Sequence, residues 1–269
     1  MQNKTKKTKP TELVQKPIIR GSWNGKDACK RAFKRMIVML AVIVIYLIAG
    51  VMLAFDGMWS RILSCIFTVF VTAYYLYGSG VAKGQTDAAF GEILYEREKN
   101  GHAITEEDRQ RSYHPLKGLF AVLVGAVPFM IFAIVFACIT EKYTYQLGSL
   151  PAWASSLTAQ TEFGDALSYY NVQTSMTAVD IMRIVDRAMI LPFINVASYF
   201  GNGAVLLAER LSPVLILVAP AGYAIGYAQG LNFRTRINTG IKMGDDKKKR
   251  RERKARKQRQ KSKAPERLI

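Results

Sequence analysis

Acid–base, thiol and metal chemistry depend on histidine and cysteine spacing, and this chain has only His102 and His114, with Cys29, Cys65 and Cys138. The cysteines are scattered, odd in number and lack CxxC spacing, which argues against both a disulfide framework and a zinc cage. No P-loop, HExxH or GxSxG pattern is present. The run Gly78-Ser79-Gly80-Val81-Ala82-Lys83-Gly84 superficially resembles a phosphate-cradling loop. It lacks the required spacing and follows an apolar segment rather than a strand, so it is expected to end a helix. No catalytic residue, cofactor or metal site is therefore expected, and the chain is expected to be non-enzymatic.

The elements that must position any remaining chemistry are set by composition. The chain has 269 residues, 38 Lys and Arg against 20 Asp and Glu, a net charge of +18 and 50% hydrophobic residues. A positive mean hydropathy beside so much charge requires the two classes to be segregated along the sequence. Met36–Phe55 has twenty uncharged residues, about 30 Å as a helix, which matches a hydrocarbon core. Its twelve Leu, Ile, Val and Phe residues contribute on the order of −4 to −7 kcal/mol to insertion. A shorter run, Ile62–Tyr77, follows across Asp56–Arg61, making a helical hairpin with Trp59 as an interfacial anchor. Leu119–Thr140 is the third span, with a kink expected near Pro128, and Leu211–Tyr227 the fourth, with Pro213 and Pro220. The expected fold is an all-α polytopic membrane protein with four transmembrane helices and an extracytoplasmic amphipathic or re-entrant segment. The first span lies too far from the start and is too long for a signal peptide, so it is expected to be retained. None of the four runs contains an ionisable residue, which disfavours proton- or cation-coupled transport by this chain alone.

Charge orients these spans. Residues 1–35 carry a net +9, residues 79–118 a net −1, residues 141–210 a net −2 and residues 231–269 a net +12. Four crossings put 33 of the 38 basic residues on one side, and an excess of Lys and Arg marks the cytoplasmic side. Both termini are expected to be cytoplasmic, in a bacterial cytoplasmic membrane. The apolar stretch at 188–208 is interrupted by Pro192 and by Gly201-Asn202-Gly203. A fifth crossing there would export the basic tail, so a re-entrant or surface-lying segment is expected.

The domains expected on this basis are a basic N-terminal region (1–35), the transmembrane hairpin (36–77), a cytoplasmic helical loop (78–118), the third span (119–140), an extracytoplasmic segment (141–210), the fourth span (211–230) and a polybasic cytoplasmic tail (231–269). The loop reads as two short helices, one over 86–99 ended by Asn100-Gly101 and one capped by Thr105 with Asp108. A DNA-reading helix-turn-helix has the wrong electrostatics for this slightly acidic loop. In the extracytoplasmic segment Asp180, Arg183 and Arg187 form one stripe of an amphipathic helix, expected to be a solvated, salt-bridged face at the interface. Trp153, Tyr169, Tyr170, Tyr199 and Phe200 suit the headgroup level.

Two features remain as candidate binding determinants. Gly222, Gly226 and Gly230 recur every fourth residue and share a face, which suits close helix packing within the chain or formation of a homo- or hetero-oligomer through the fourth helix. The tail from Lys247 to Lys263 has twelve Lys or Arg in seventeen positions. It cannot bury a core and is expected to be disordered or a solvated extension of a helix. Lys247, Lys248, Lys249, Arg250, Arg251, Arg253 and Lys254 are the candidate contacts to anionic lipid headgroups or a cytoplasmic partner. Contact with RNA or the ribosome is a further alternative, non-specific because no aromatic residue is available for base stacking. A membrane scaffold or accessory subunit is the expected role, and a channel or transporter subunit the alternative.

Overall fold

A backbone in hydrocarbon must satisfy every N–H and C=O within its own segment, and an uncharged twenty-residue run does so as a helix. The computed structural model describes residues 13–141, 157 and 177–262; among them there are eight α-helices and no strand. These are α1 (Lys26–Met52), α2 (Met58–Lys99), α3 (Glu106–Arg111), α4 (Lys117–Ile139), α5 (Ala178–Met189), α6 (Leu191–Tyr199), α7 (Asn202–Arg210) and α8 (Ser212–Ser262). Four of them, α1, α2, α4 and α8, are long and apolar enough to cross a membrane. The chain is an all-α polytopic membrane protein. Large apolar side chains such as Ile37, Val44, Phe67, Phe70 and Ile131 are exposed, as lipid-facing positions are.

Two helices are longer than the apolar runs that start them. α2 continues for 42 residues through Gly78–Gly84 to Lys99, so these glycines do not end the helix, and the separate helix expected over 86–99 is its second half. It ends at Gly101, whose φ is +82°. The N–H of His102 donates to the Arg97 carbonyl and that of Gly101 to the Glu98 carbonyl, the paired bonds of a Schellman motif. α8 runs for 51 residues, carrying the basic tail as a continuation of a spanning helix.

The chain forms two units. The described residues of the first lie within Met1–Arg31, Leu76–Ala121 and Gly222–Ile269. Here α2 and α8 meet along their glycines. A Cβ on Gly80 would lie 2.3 Å from the Tyr223 carbonyl oxygen, one on Gly84 2.5 Å from that of Tyr227, and one on Gly226 2.2 Å from that of Tyr77. Only glycine permits backbones so close. An extended N-terminal segment straps this pair: the Val14 N–H donates to Thr239 Oγ1 at 2.9 Å, that of Ile19 to the Gly91 carbonyl and that of Gly21 to the Tyr113 carbonyl.

The second unit comprises the described parts of Ala32–Tyr75 and Val122–Ala221. Its apolar core includes Met39, Ala126, Ala133, Ile190, Ile194 and Ile216. The stretch 188–208 is not one helix: α6 and α7 have nine residues each, about 13 Å of rise, too short to span. They break at Gly201, whose φ of +91° is a backbone conformation that costs other residues strain. α6 packs on α1, with Phe193 edge-on to Tyr46 at 6.4 Å and the Asn195 amide donating to the Gly50 carbonyl at 2.6 Å. Arg61, in the first turn of α2, donates to Ser198 Oγ at 2.8 Å.

Trp59, Tyr199 and Phe200 are exposed. Trp153, Tyr169 and Tyr170 lie outside the described residues.

Candidate functional site

In the first unit, charged residues that are distant in sequence converge where α1 begins. Asp87 of α2, almost fully buried, accepts hydrogen bonds from both Arg31 guanidinium nitrogens and, at 2.6 Å, from the Tyr227 hydroxyl, while Lys83 lies 3.4 Å away. Asp27, one turn before Arg31, pairs with it at 2.5 Å and with Lys117 at 3.1 Å. Lys117 is 1% exposed and also donates to the carbonyls of Gln110 and Ser112. Every charge in this buried network is partnered, which is the condition for burying charge at all. Tyr227 stacks on Tyr113 at 5.6 Å, and Tyr113 donates to the Ala228 carbonyl at 2.6 Å. A further group, Glu92 accepting from Arg234 and Asn238, ties α2 to α8 by bonds of 2.9 and 2.7 Å.

Above this network lies a cavity of about 500 Å³. Five cations line it, Lys26, Lys30, Arg31, Lys83 and Arg111, against three carboxylates, Asp27, Asp87 and Glu107. The Gln110 side-chain oxygen accepts the Lys26 N–H at 3.2 Å, leaving the Gln110 amide NH₂ as a donor. An excess of two positive charges in the lining suits an anion.

The second unit holds another buried charged cluster. The polar stripe of α5, expected to be solvated, is turned inward beyond its first turn. Thr177 and Asp180 close a capping box at its start, and beyond them Arg183 and Asp186 are buried. Glu209, 1% exposed, accepts from Arg187 at 2.7 Å and from the Thr140 hydroxyl at 2.8 Å, with Arg183 at 3.7 Å. The apolar residues Ile181, Ile184 and Val185 face outward. The helix is thus amphipathic in the inverted sense, with charged residues inward and apolar residues outward. Within the helix, Arg183 pairs with Asp180 at 3.5 Å. Asp186 is fully buried, and neither of its carboxylate oxygens makes a hydrogen bond of regular geometry. Burial pushes its carboxyl up to about 7; the Ser212 hydroxyl and Arg187 oppose this, and Glu209 adds to it.

The residues chosen from sequence lie elsewhere. Lys247, Lys248, Lys249, Arg250, Arg251, Arg253 and Lys254 are all helical and exposed on α8. Helical spacing puts Lys247, Arg250, Arg251 and Lys254 on one face. Gly226 and Gly230 are buried against α2 of the same chain, and Gly222 is half-buried. His114 Nδ1 accepts the Leu116 N–H at 3.3 Å. Burial, with Arg20 and Lys117 nearby, holds its pKa below the usual histidine range. Cys29, Cys65 and Cys138 are free thiols. Among the described residues no group of three His, Cys, Asp or Glu can hold a metal ion. The two charged clusters escaped sequence spacing because they join distant residues, Asp87 and Tyr227 140 positions apart in the first and Thr140 and Glu209 69 apart in the second. The signals available were the Asp27/Arg31 pair at i, i+4 and Glu209, beside Arg210, at the end of an apolar stretch.

No family model matches this chain, and no curated protein or solved structure matches it.

Proposed function

We propose that this chain is a non-enzymatic scaffold or accessory subunit of a bacterial cytoplasmic membrane, both termini cytoplasmic, whose basic tail binds anionic lipid headgroups. The observation that carries this is α8 itself: one helix holds a membrane-spanning segment and the basic run, with every side chain from Ile241 to Gln258 exposed. Like charges four residues apart, such as Lys247 with Arg251 and Arg250 with Lys254, repel along a helix. An anionic surface relieves that repulsion and adds about 1 kcal/mol for each of the first few basic residues near it. The lopsided distribution of Lys and Arg supports the orientation.

The test uses full-length protein in nanodiscs of zwitterionic lipid, mixed with vesicles that contain or lack anionic lipid and then floated. Capture is expected by anionic vesicles only, and it should fall as salt rises from 0.1 to 1 M, where the screening length shrinks from about 10 to about 3 Å. Replacing the seven basic residues Lys247–Arg251, Arg253 and Lys254 by glutamine should abolish it. Capture indifferent to lipid charge and salt would overturn the proposal, and salt-sensitive retention of RNA instead would favour a nucleic-acid role. Labelling of a cysteine placed near the C-terminus by an impermeant reagent on intact cells would refute the orientation.

A second reading, a channel or transporter subunit, is favoured by the buried cluster of Arg183, Asp186, Arg187 and Glu209, since ionisable groups held away from water in a membrane protein accompany transport paths. Solute flux in vesicles reconstituted with the purified chain, lost in Glu209→Gln, would select it.

A further inference from the structure

We infer that the cavity at the start of α1 is a binding site for a phosphate-bearing anion. Its lining carries five cations and three carboxylates, a net +2 that matches the charge of about −1.5 to −2 on a phosphomonoester at pH 7. The cations fall into two groups. Arg31 and Lys83 are held by Asp87 on the floor, and Arg31 by Asp27 as well, so these four charges balance. Lys26, Lys30 and Arg111 stand around it, and among the described residues none has a carboxylate within 4.0 Å. Of the nearby acids, Asp27 is paired with Arg31 and Lys117, and Glu107 lies on the same short helix as Arg111 without forming an ion pair with it. Three unneutralised cations facing one cavity repel each other, and a bound dianion removes that repulsion. Arg111 brings a planar fork that pairs with two phosphate oxygens, and the two lysines bring point charges. The Gln110 amide NH₂ adds a neutral donor. At about 500 Å³ the cavity has room for a group attached to the phosphate, and Phe90 and Thr86 line it beside the charged residues.

The same chemistry has two sources, a soluble phosphate ester and a phospholipid headgroup. The second is within reach because Lys26–Arg35 directly precede the apolar run that begins at Met36. The experiment has an arm for each. Thermal unfolding of the full chain in zwitterionic nanodiscs is measured with inorganic phosphate, with glycerol 3-phosphate, with sodium chloride at matched ionic strength, and with phosphatidic acid included in the disc. A rise in unfolding temperature with the phosphates but not with chloride assigns a soluble ligand, and a rise with phosphatidic acid alone assigns a lipid headgroup. The combined Lys26→Gln, Lys30→Gln and Arg111→Gln variant should lose that rise. A control that removes three tail charges (Lys247→Gln, Lys248→Gln, Arg250→Gln) should keep it. No rise with any phosphate, a rise matched by chloride, or a rise retained in the cavity variant overturns the site. Since the tail control separates the two basic regions, failure here is distinguishable from failure of the tail proposal.

Discussion

Replacing Gly226 by alanine puts a methyl carbon 2.2 Å from the Tyr77 carbonyl oxygen and 2.9 Å from its carbonyl carbon. Cβ contacts become ordinary near 3.4 Å, so the two helices must part by roughly 1 Å where Gly80 and Gly84 also depend on close approach. Backbone cannot swing aside as a side-chain tip can, and overpacking of this kind costs about 1–3 kcal/mol. Alanine's better helix propensity returns up to about 1 kcal/mol. The matched control is Gly78→Ala, within α2, where an added Cβ meets nothing within 4 Å; there only the propensity gain remains. With about 2–4 °C per kcal/mol for a chain of this size, Gly226→Ala should unfold several degrees below wild type and Gly78→Ala at or slightly above it. The assay is intrinsic fluorescence or thiol-probe unfolding of both variants in the same mild detergent. If the two variants melt together, the glycine contact between α2 and α8 is not what stabilises the first unit.

Asp87→Asn leaves the Arg31 guanidinium without its main counter-charge and should cost about 3–5 kcal/mol, whereas Tyr227→Phe removes one hydrogen bond and should cost about 1–2 kcal/mol; chemical unfolding of each variant and of the double variant should show non-additivity. Thr177→Ala removes the capping box of α5 and should cost about 1 kcal/mol, read as faster hydrogen exchange at the start of that helix. Asp186 has a folded pKa of about 7 against an ordinary 3.8, so its folded form holds the proton more tightly. Its contribution to stability is present in full below about pH 4, is lost as pH rises to about 7, and at pH 8 the ionised form carries a cost on the order of a few kcal/mol. Asp186→Asn should therefore melt higher than wild type at pH 8 and close to it at pH 4, and equal gains at both values would refute the assignment.

The four spans were legible because hydrocarbon thickness and helical rise leave little freedom: a twenty-residue uncharged run has one stable form. Asn100-Gly101 and Thr105 were legible too, since caps act through local geometry. The Gly78–Gly84 run was misread because glycine in a soluble helix is a breaker, whereas here it permits contact with a second helix. The corrective signal was available. Gly80 and Gly84 repeat the four-residue spacing of Gly226 and Gly230, and two such stripes in one chain are complementary. The cavity and its network left only the Asp27/Arg31 spacing as a trace, because Asp87, Lys117 and Tyr227 join that pair only once the helices have packed.

The inversion of α5 shows why periodicity alone could not settle its environment. A pattern of Asp180, Arg183 and Arg187 on one face with Ile181, Ile184 and Val185 on others says that the helix separates two media, but not which medium is inside. In water the apolar face turns inward; in contact with lipid the sign reverses, and charged residues are retained only if the interior supplies partners. Glu209 is that partner, and it sits in a stretch where α6 and α7 are each too short to carry it across the bilayer. The broken helices and the inverted helix are therefore one device. Placing short elements inside the unit brings a buried carboxylate next to two arginines without putting charge into any of the four spanning runs. Glu209→Leu should consequently be worse tolerated than Glu209→Gln, since leucine leaves Arg183, Arg187 and the Thr140 hydroxyl all without their shared acceptor while glutamine still accepts hydrogen bonds. Comparable folded yields of the two variants would show that α5 is held by its apolar contacts and that the charged cluster is dispensable.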